Sequence, residues 1–250
     1  MRVLVACEFS GRVRKAFKKN GHDAWSCDLL PSDDKSNNHI TGDVKDIIND
    51  GWDLLIAHPP CTYLTNAGVV WLHKDPDRWN KLDEAARFFK TLLDADIPKK
   101  CVENPIMHKY AIERIGGVKQ TQVIQPWMFG HTEQKATCLW LKNLPNLEPT
   151  NNVKKEMLLL PDNKRQRIHY LPPSKDRWKL RSMTYLGIAD AMAQQWGQPE
   201  NETKKCDKCD GLGYVDETRD VIDYVNGGYQ DEVLNTCPKC FGLGEVCADE

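Results

Sequence analysis

Apolar positions along this chain switch repeatedly between strand-like runs and helical spacing, and the switches divide its first 197 residues into short elements. Residues 2–7 are a Val- and Leu-rich run, the pattern of a strand covered on both faces. After the loop Glu8-Phe9-Ser10-Gly11, Val13, Ala16 and Phe17 recur at helical spacing among Arg and Lys until Asn20-Gly21 stops the helix. A second strand at 24–27 ends in Asp28, and Gly42-Asp43-Val44 leads into a weak helix over 45–49. Residues 53–57 form the next strand. Leu82, Ala85, Ala86, Phe89, Leu92 and Leu93 then share one face of a helix over 81–95, and 99–102 is the strand that follows. Residues 122–125 and 136–141 read as two further strands, a hairpin around Phe129-Gly130-His131. Residues 143–176 are polar and Pro-rich without a clear period, hence loop, and 184–196 is a helix ending at Gly197.

Strand and helix alternating in this way build a parallel sheet with right-handed crossovers, so the expected fold class is α/β and Rossmann-like. The first loop has one glycine rather than the three of a dinucleotide fingerprint, which argues against a dinucleotide site. Ligands in such sheets lie beyond the carboxyl ends of the strands. That edge gathers residues 8–11, Asp28, Asp43, 58–61 and 103–105.

Two of these segments carry chemistry. His58-Pro59-Pro60-Cys61-Thr62 ends one strand, and the two prolines remove two backbone donors, which places Cys61 on an exposed turn rather than inside the sheet. Glu103-Asn104-Pro105 follows another strand. A thiol and a carboxyl at neighbouring strand ends suit addition to a pyrimidine ring, the sulfur attacking carbon and the acid handling a proton on nitrogen. Cys7, Cys27, Cys101 and Cys138 lie in or beside strands and read as packing. A net charge of −2 gives no bulk attraction to nucleic acid, so binding must use local patches. The basic clusters are Lys15/Lys18/Lys19, Lys154/Lys155, Lys164/Arg165/Arg167 and Lys175/Arg177/Lys179/Arg181, the last two interleaved with His169, Tyr170 and Trp178 as stacking surfaces for bases.

On these residues, 1–197 resembles the C5-cytosine DNA methyltransferase family in a compact form similar to proteins of bacteriophages and their hosts. The resemblance implies a Rossmann-like S-adenosylmethionine-dependent methyltransferase fold. It matches the family's cofactor loop to Phe9-Ser10-Gly11, with Val13 where a second glycine is usual. The acid for the ribose hydroxyls matches Asp28, and the one near adenine matches Asp43. The Pro-Cys motif matches Pro60-Cys61, with Thr62 in place of Gln; the Glu-Asn motif matches Glu103-Asn104, with Pro105 in place of Val. The family's late arginines are reduced to Gln134-Lys135-Ala136-Thr137, and its Gly-Asn-Ser segment to Gly187-Ile188-Ala189. In place of a large target-recognition domain only 143–180 is available. Implied roles are Cys61 as nucleophile and Glu103 as the proton-handling acid, with Phe9, Ser10, Gly11, Asp28, Asp43 and Pro60 at the cofactor. His58, Asn104, Lys135 and Thr137 would lie at the substrate, which is DNA, single- or double-stranded.

The C-terminal stretch is a different kind of object. After a charged linker at 198–205, Cys206-x-x-Cys209-x-Gly211-x-Gly213 and Cys237-x-x-Cys240-x-Gly242-x-Gly244 repeat within residues 206–250. Two such knuckles suit a structural tetrahedral Zn2+ held by Cys206, Cys209, Cys237 and Cys240 in a small β-hairpin module, similar to the zinc module of the DnaJ chaperone family. The acidic stretch between them, 214–236, favours a protein contact or plain stabilisation; Cys247 is left over. Ten cysteines without a signal peptide or a membrane-length apolar run lead to the expectation of a soluble cytoplasmic protein, in the host cytoplasm if phage-encoded. The rivals are an exocyclic-amine methyltransferase acting on adenine N6 or cytosine N4, which would leave Glu103 without a role, and a non-catalytic zinc-bearing binding protein.

Overall fold

A computed structural model describes residues 1–198, 203–212, 214–221, 229–240 and 245–247. The chain divides into two compact units, Met1–Gln198 and Pro199–Glu250. The first unit is a mixed sheet of Arg2–Ala6 (β1), Asp23–Asp28 (β2), His39–Thr41 (β3), Leu54–Ala57 (β4), Lys99–Pro105 (β5), Gln122–Ile124 (β6) and Thr137–Lys142 (β7), in the order β3-β2-β1-β4-β5-β7-β6. The first five strands are mutually parallel; β7 runs antiparallel to both β5 and β6. The mostly parallel sheet fits the expected Rossmann-like α/β class.

The sequence dictates this because β1 and β4 are apolar on both sides, and each side finds its own cover. Leu4, Ala6, Leu55, Ala57 and Val102 pack with Leu82, Ala86, Phe89 and Leu92 of helix α2 (Asp77–Asp94) and Ala111 of α3 (Lys109–Arg114). The alternate residues Val3, Val5, Leu54, Ile56 and Cys101 pack on the other face. Their cover is α1 (Arg12–Lys19), through Val13, Ala16 and Phe17, and the last helix of the unit, Leu186–Trp196, through Ile188, Ala189, Met192 and Trp196. Burying each large side chain contributes ~1.5–3 kcal/mol against the entropy of ordering the chain.

Several expectations need correction. Strand β3 and helix α3 were not foreseen, and the weak helix at 45–49 is one 3-10 turn at Val44–Asp46. Helix α2 begins at Asp77 rather than 81, on the turn made by Asp75-Pro76. β5 continues through Glu103-Asn104-Pro105, because β7 pairs along its whole length, Pro105 opposite Thr137. The 143–176 stretch is not plain loop: it contains α4 (Lys154–Leu158), α5 (Asp162–Arg165) and α6 (Arg167–Tyr170), and α7 (Arg177–Ser182) precedes α8, the helix Leu186–Trp196.

In the second unit β9 (Tyr214–Val221) and β10 (Tyr229–Thr236) form an antiparallel hairpin, and β8 (Thr203–Lys205) pairs with β11 (Glu245–Cys247). Residues 199–202 of the expected linker, and the glycines Gly213, Gly242 and Gly244, lie outside the described residues. Among the described residues no helix is long and apolar enough to cross a membrane.

Candidate functional site

Strand order reverses between β1 and β4, and in an open α/β sheet that reversal opens a crevice beyond the carboxyl ends. Cys7 turns the chain out of β1 at φ 58. Glu8, buried, then aims its carboxylate back at helix α1, accepting the N–H groups of Val13 (2.7 Å) and Arg14 (3.2 Å). It thereby satisfies two of the orphan donors of the first turn. Only its place just before the helix could have signalled this role. Gly11 caps the helix at φ 67, and a Cβ there would stand 2.3 Å from Arg14 Nη2. The glycine is needed for backbone conformation and for Arg14, which is itself buried and bound to Ser26 Oγ (2.8 Å) and Asp34 (2.5 Å). Phe9 is buried against Trp178, ring centroids 5.9 Å apart, while Ser10 is half-buried.

Asp28 ends β2 with Oδ1 accepting the Leu30 N–H at 2.9 Å. Burial raises its pKa, with the Leu30 amide, His39 and the Leu29 amide opposing. Asp43 caps the Val44–Asp46 turn through the Lys45 N–H (3.0 Å), which with the Lys45 ammonium holds its carboxyl below the ordinary range. Both carboxylates act on Cys7, whose thiol is driven far up by burial first and then by Asp28. Cys7 is partly buried and packs against the core, as Cys27, Cys101 and Cys138 do within it, and Cys27 feels the same two acids.

The β4–β5 register pairs Ala57 with Val102, so the next residues, His58 and Glu103, fall side by side on the α1/α8 face. His58 Nδ1 lies 2.7 Å from Glu103 Oε2, with the two side chains only 9% and 14% exposed. Burial disfavours the imidazolium, but the Glu103 hydrogen bond and charge, together with the Glu8 charge, outweigh it and raise the His58 pKa. For Glu103 burial likewise opposes ionisation; His58 and Lys135 outweigh it and hold the carboxyl below its ordinary range. The other ring nitrogen, His58 Nε2, is buried without a partner. His58 borders a cavity of about 30 Å³ with Cys7, Glu8, Phe9, Ser10, Ser182, Met183 and Thr184.

Pro59 is buried, Pro60 exposed, and Cys61 half-buried at the start of a turn whose Leu64 and Thr65 amides donate to its carbonyl (3.0 and 3.2 Å). Its thiol pKa is raised, by burial first and then by the Glu103 charge, with Lys135 and Arg181 opposing. A thiolate activated by the turn or by His58 is not what the resting site provides. Lys135 donates from Nζ to the Arg181 carbonyl at 2.9 Å, and its charge acts on His58, Cys61 and Glu103 alike. Asn104 is not brought into this cluster. Alternation sends it with Val102 to the α2 face, fully buried, its Nδ2 on the Pro105 carbonyl (2.6 Å) and its Oδ1 unpartnered. Thr137 is buried too, and its hydroxyl holds the Lys135 carbonyl at 3.3 Å.

Of the basic clusters, several members are occupied by acids: Lys15 by Asp34, Arg165 by Asp162 and Arg167 by Glu133. The 175–181 segment is the one that adjoins the site. Lys179 lies over the Phe9 and Trp178 rings, Trp178 is 52% exposed, and Arg181 acts on Cys61.

In the second unit Cys206, Cys209, Cys237 and Cys240 are all buried, their sulfurs within 4.8 Å of one another. Cys206–Cys237 and Cys209–Cys240 are 3.8 and 3.6 Å apart. Tetrahedral zinc with Zn–S near 2.3 Å requires sulfurs roughly 3.8 Å apart, so the cluster could hold that ion. Asp210 (φ 50) and Gly211 (φ 80) make the tight return of the first knuckle, and Lys239 pairs with Asp207 across to the second at 2.7 Å.

No protein-family model and no curated protein matches this chain. Among solved structures it is similar to a prophage-encoded protein of E. coli provisionally described as a DNA modification methyltransferase, at 16% identity and a TM-score of 0.40. The alignment covers 65% of this chain and spans 56% of that protein's length.

Proposed function

We propose that the chain is a DNA cytosine-C5 methyltransferase working through a covalent adduct at Cys61. The observation that carries the reading is the pairing of β4 with β5, which sets a half-buried thiol and a His58-bound carboxylate at one mouth of the sheet. Cys61 Sγ, once deprotonated to solvent, donates its pair to C6 of the ring, and the displaced π electrons run through C4 to N3. Glu103 hydrogen-bonds N3 and the exocyclic amine and places a proton on N3, so that C5 becomes an enamine carbon. Loss of the C5 proton later restores the double bond and expels the sulfur. A positioned acid of this kind is typically worth ~10²–10⁴-fold. An exocyclic-amine transfer would leave Glu103 without a use.

S-adenosylmethionine, when bound, would supply an electrophilic methyl carbon. Phe9, Ser10, Gly11, Asp28, Asp43 and Pro60 are the residues that would hold it. Asp28 fits a ribose: it is a half-buried carboxylate, raised in pKa, that a vicinal diol would re-solvate. DNA would lie along 175–181, with Trp178 and Tyr170 as stacking faces. The four-cysteine cluster would hold structural Zn2+, and its module would contact another protein or stabilise the chain. The test is incubation with S-adenosylmethionine and DNA containing 5-fluorocytosine. A covalent adduct that vanishes in Cys61→Ala is expected; methyl transfer that survives in Cys61→Ala overturns the mechanism, and methylated N6-adenine or N4-cytosine in the digest selects the rival.

A further inference from the structure

We infer that His58 is a positioning residue that holds the proton Glu103 delivers, so that the two side chains work as one proton-sharing pair rather than His58 touching substrate. The inference rests on the C5 reading above and deepens it.

The geometry assigns the partners. His58 Nδ1 faces Glu103 Oε2 at 2.7 Å, and both groups are almost wholly withdrawn from solvent. Glu103 Oε1 carries no hydrogen bond among the described residues, leaving one oxygen for a ring nitrogen. His58 Nε2 is buried without a partner, so the one hydrogen bond through which the imidazole passes a proton among the described contacts is that to Glu103. Charged groups act on the pair from neighbouring segments: Glu8 beyond β1 on His58, and Lys135 before β7 on both His58 and Glu103. Glu103, in direct hydrogen-bond contact, outweighs Lys135, and Glu8, itself pushed up by burial, adds to it when ionised, so the resting pair is carboxylate and imidazolium. A bare carboxylate cannot donate. When Cys61 adds to C6, the Nδ1 proton of His58 crosses to Glu103 Oε2, the carboxylic acid so formed turns its O–H toward the ring and passes that one proton to N3, and the pair is left as neutral imidazole and carboxylate. When the sulfur leaves, N3 returns the proton along the same path. Nothing else is consumed.

The relay can be tested without the methyl donor. Reversible addition of Cys61 makes C5 exchange its hydrogen with water, which releases tritium from DNA carrying [5-³H]cytosine. Wild-type release should climb with pH as Cys61 ionises and then break to a flat limb as pH passes the raised His58 value, because each gain in thiolate is then matched by pairs that have lost the proton they give. In His58→Gln the proton must sit on Glu103 alone, so the same limb should move at least one pH unit toward acid with a loss of ten-fold or more in rate at pH 7.5. An unshifted limb, with any change in rate, overturns the relay. A second measurement stands apart from catalysis and from the folding of that variant: ¹⁵N imidazole titration in full-length protein. His58 should titrate above ordinary histidine in wild type and below it in Glu103→Gln; an unchanged His58 titration also overturns the proposal. A shifted titration with no tritium release from wild type would remove the C5 reading, and the relay to a ring with it, while leaving the ion pair.

Discussion

Two groups of cysteines in this chain show how surroundings decide what sulfur does. Cys61 is a single half-buried thiol whose pKa burial and the Glu103 charge raise. In the C-terminal cluster, burial pushes Cys237 upward too, yet the Cys240 and Lys239 amides and the neighbouring sulfurs draw it down to about 7. One sulfur is held protonated by burial and a carboxylate; four are gathered closely enough that a bound metal would displace their protons. Sulfur count predicts neither behaviour. Charge sign and the number of nearby N–H donors do.

The comparison breaks most violently through the metal. Zinc binding in such modules is worth on the order of 10 kcal/mol, which a small hairpin does not otherwise possess. Chelation, or Cys206→Ser, should therefore abolish hydrogen-exchange protection over 206–240 and leave 1–198 unchanged, as read by mass spectrometry. Full protection in the chelated protein would refute the metal. Cys61→Ala should do the reverse: complete loss of the 5-fluorocytosine adduct, with stability of the first unit altered by no more than ~0.5 kcal/mol, since a half-exposed thiol is cheap to remove. A large fall in thermal midpoint would recast Cys61 as packing.

A smaller effect belongs to Glu103. Glu103→Gln keeps the shape and loses the proton, so turnover should drop ~10²–10⁴-fold, measured as tritium released from C5. Less than three-fold loss would remove the acid from the mechanism.

The sequence made the two thiol groups separable, but not the neighbours that set them apart. Long apolar runs at β1 and β4 and the periodic face of α2 were legible because burial on two faces or one leaves a pattern. His39-Ile40-Thr41 was not, being three half-exposed or exposed residues held by pairing with β2, by the His39 ring between Ser26 Oγ and the Leu30 carbonyl, and by Ile40 against the core. Nor were α4–α6, each of four or five residues with at most one buried side chain. Glu103 and Asn104 read alike in the sequence as site residues. Which of them faces the crevice depends on the parity of β5, and that depended on β7 extending the strand through Pro105. The His58–Glu103 contact was hidden for the same reason, since register between strands forty-odd residues apart is tertiary information.

Differential alkylation would sharpen the contrast between thiols. In zinc-free protein the amides and sulfurs that lower Cys237 are no longer gathered, so it should react with iodoacetamide as an ordinary thiol of pKa ~8.5. Cys61, raised above its ordinary 9.0, should react slowly at pH 7 and accelerate nearly ten-fold per pH unit up to pH 9. Adding zinc should silence Cys237 and leave Cys61 unaffected. Alkylation of Cys237 that zinc leaves unchanged would show that the four sulfurs do not take the metal.

The least of these effects is the contribution of the His58–Glu103 pair to folding, and its sign follows from the two shifts. His58 is raised above 6.5, so its stabilisation is complete below that pH and is lost as pH rises through the raised value. Glu103 is lowered from 4.5, so its share is complete above that pH and is lost as pH falls through the lowered value. Both contributions are present together between pH 4.5 and 6.5. The difference in urea midpoint between wild type and His58→Gln should therefore be widest in that window and narrow on both sides of it. Burial opposes both charges, and that cost is what keeps the window's gain modest: the pair is retained against desolvation that hydrophobic replacements would avoid. A midpoint difference that stays constant from pH 4 to pH 9 would mean the two groups meet as neutral partners, and the contrast with the C-terminal thiols would then rest on the burial of Cys61 alone, against Lys135 and Arg181.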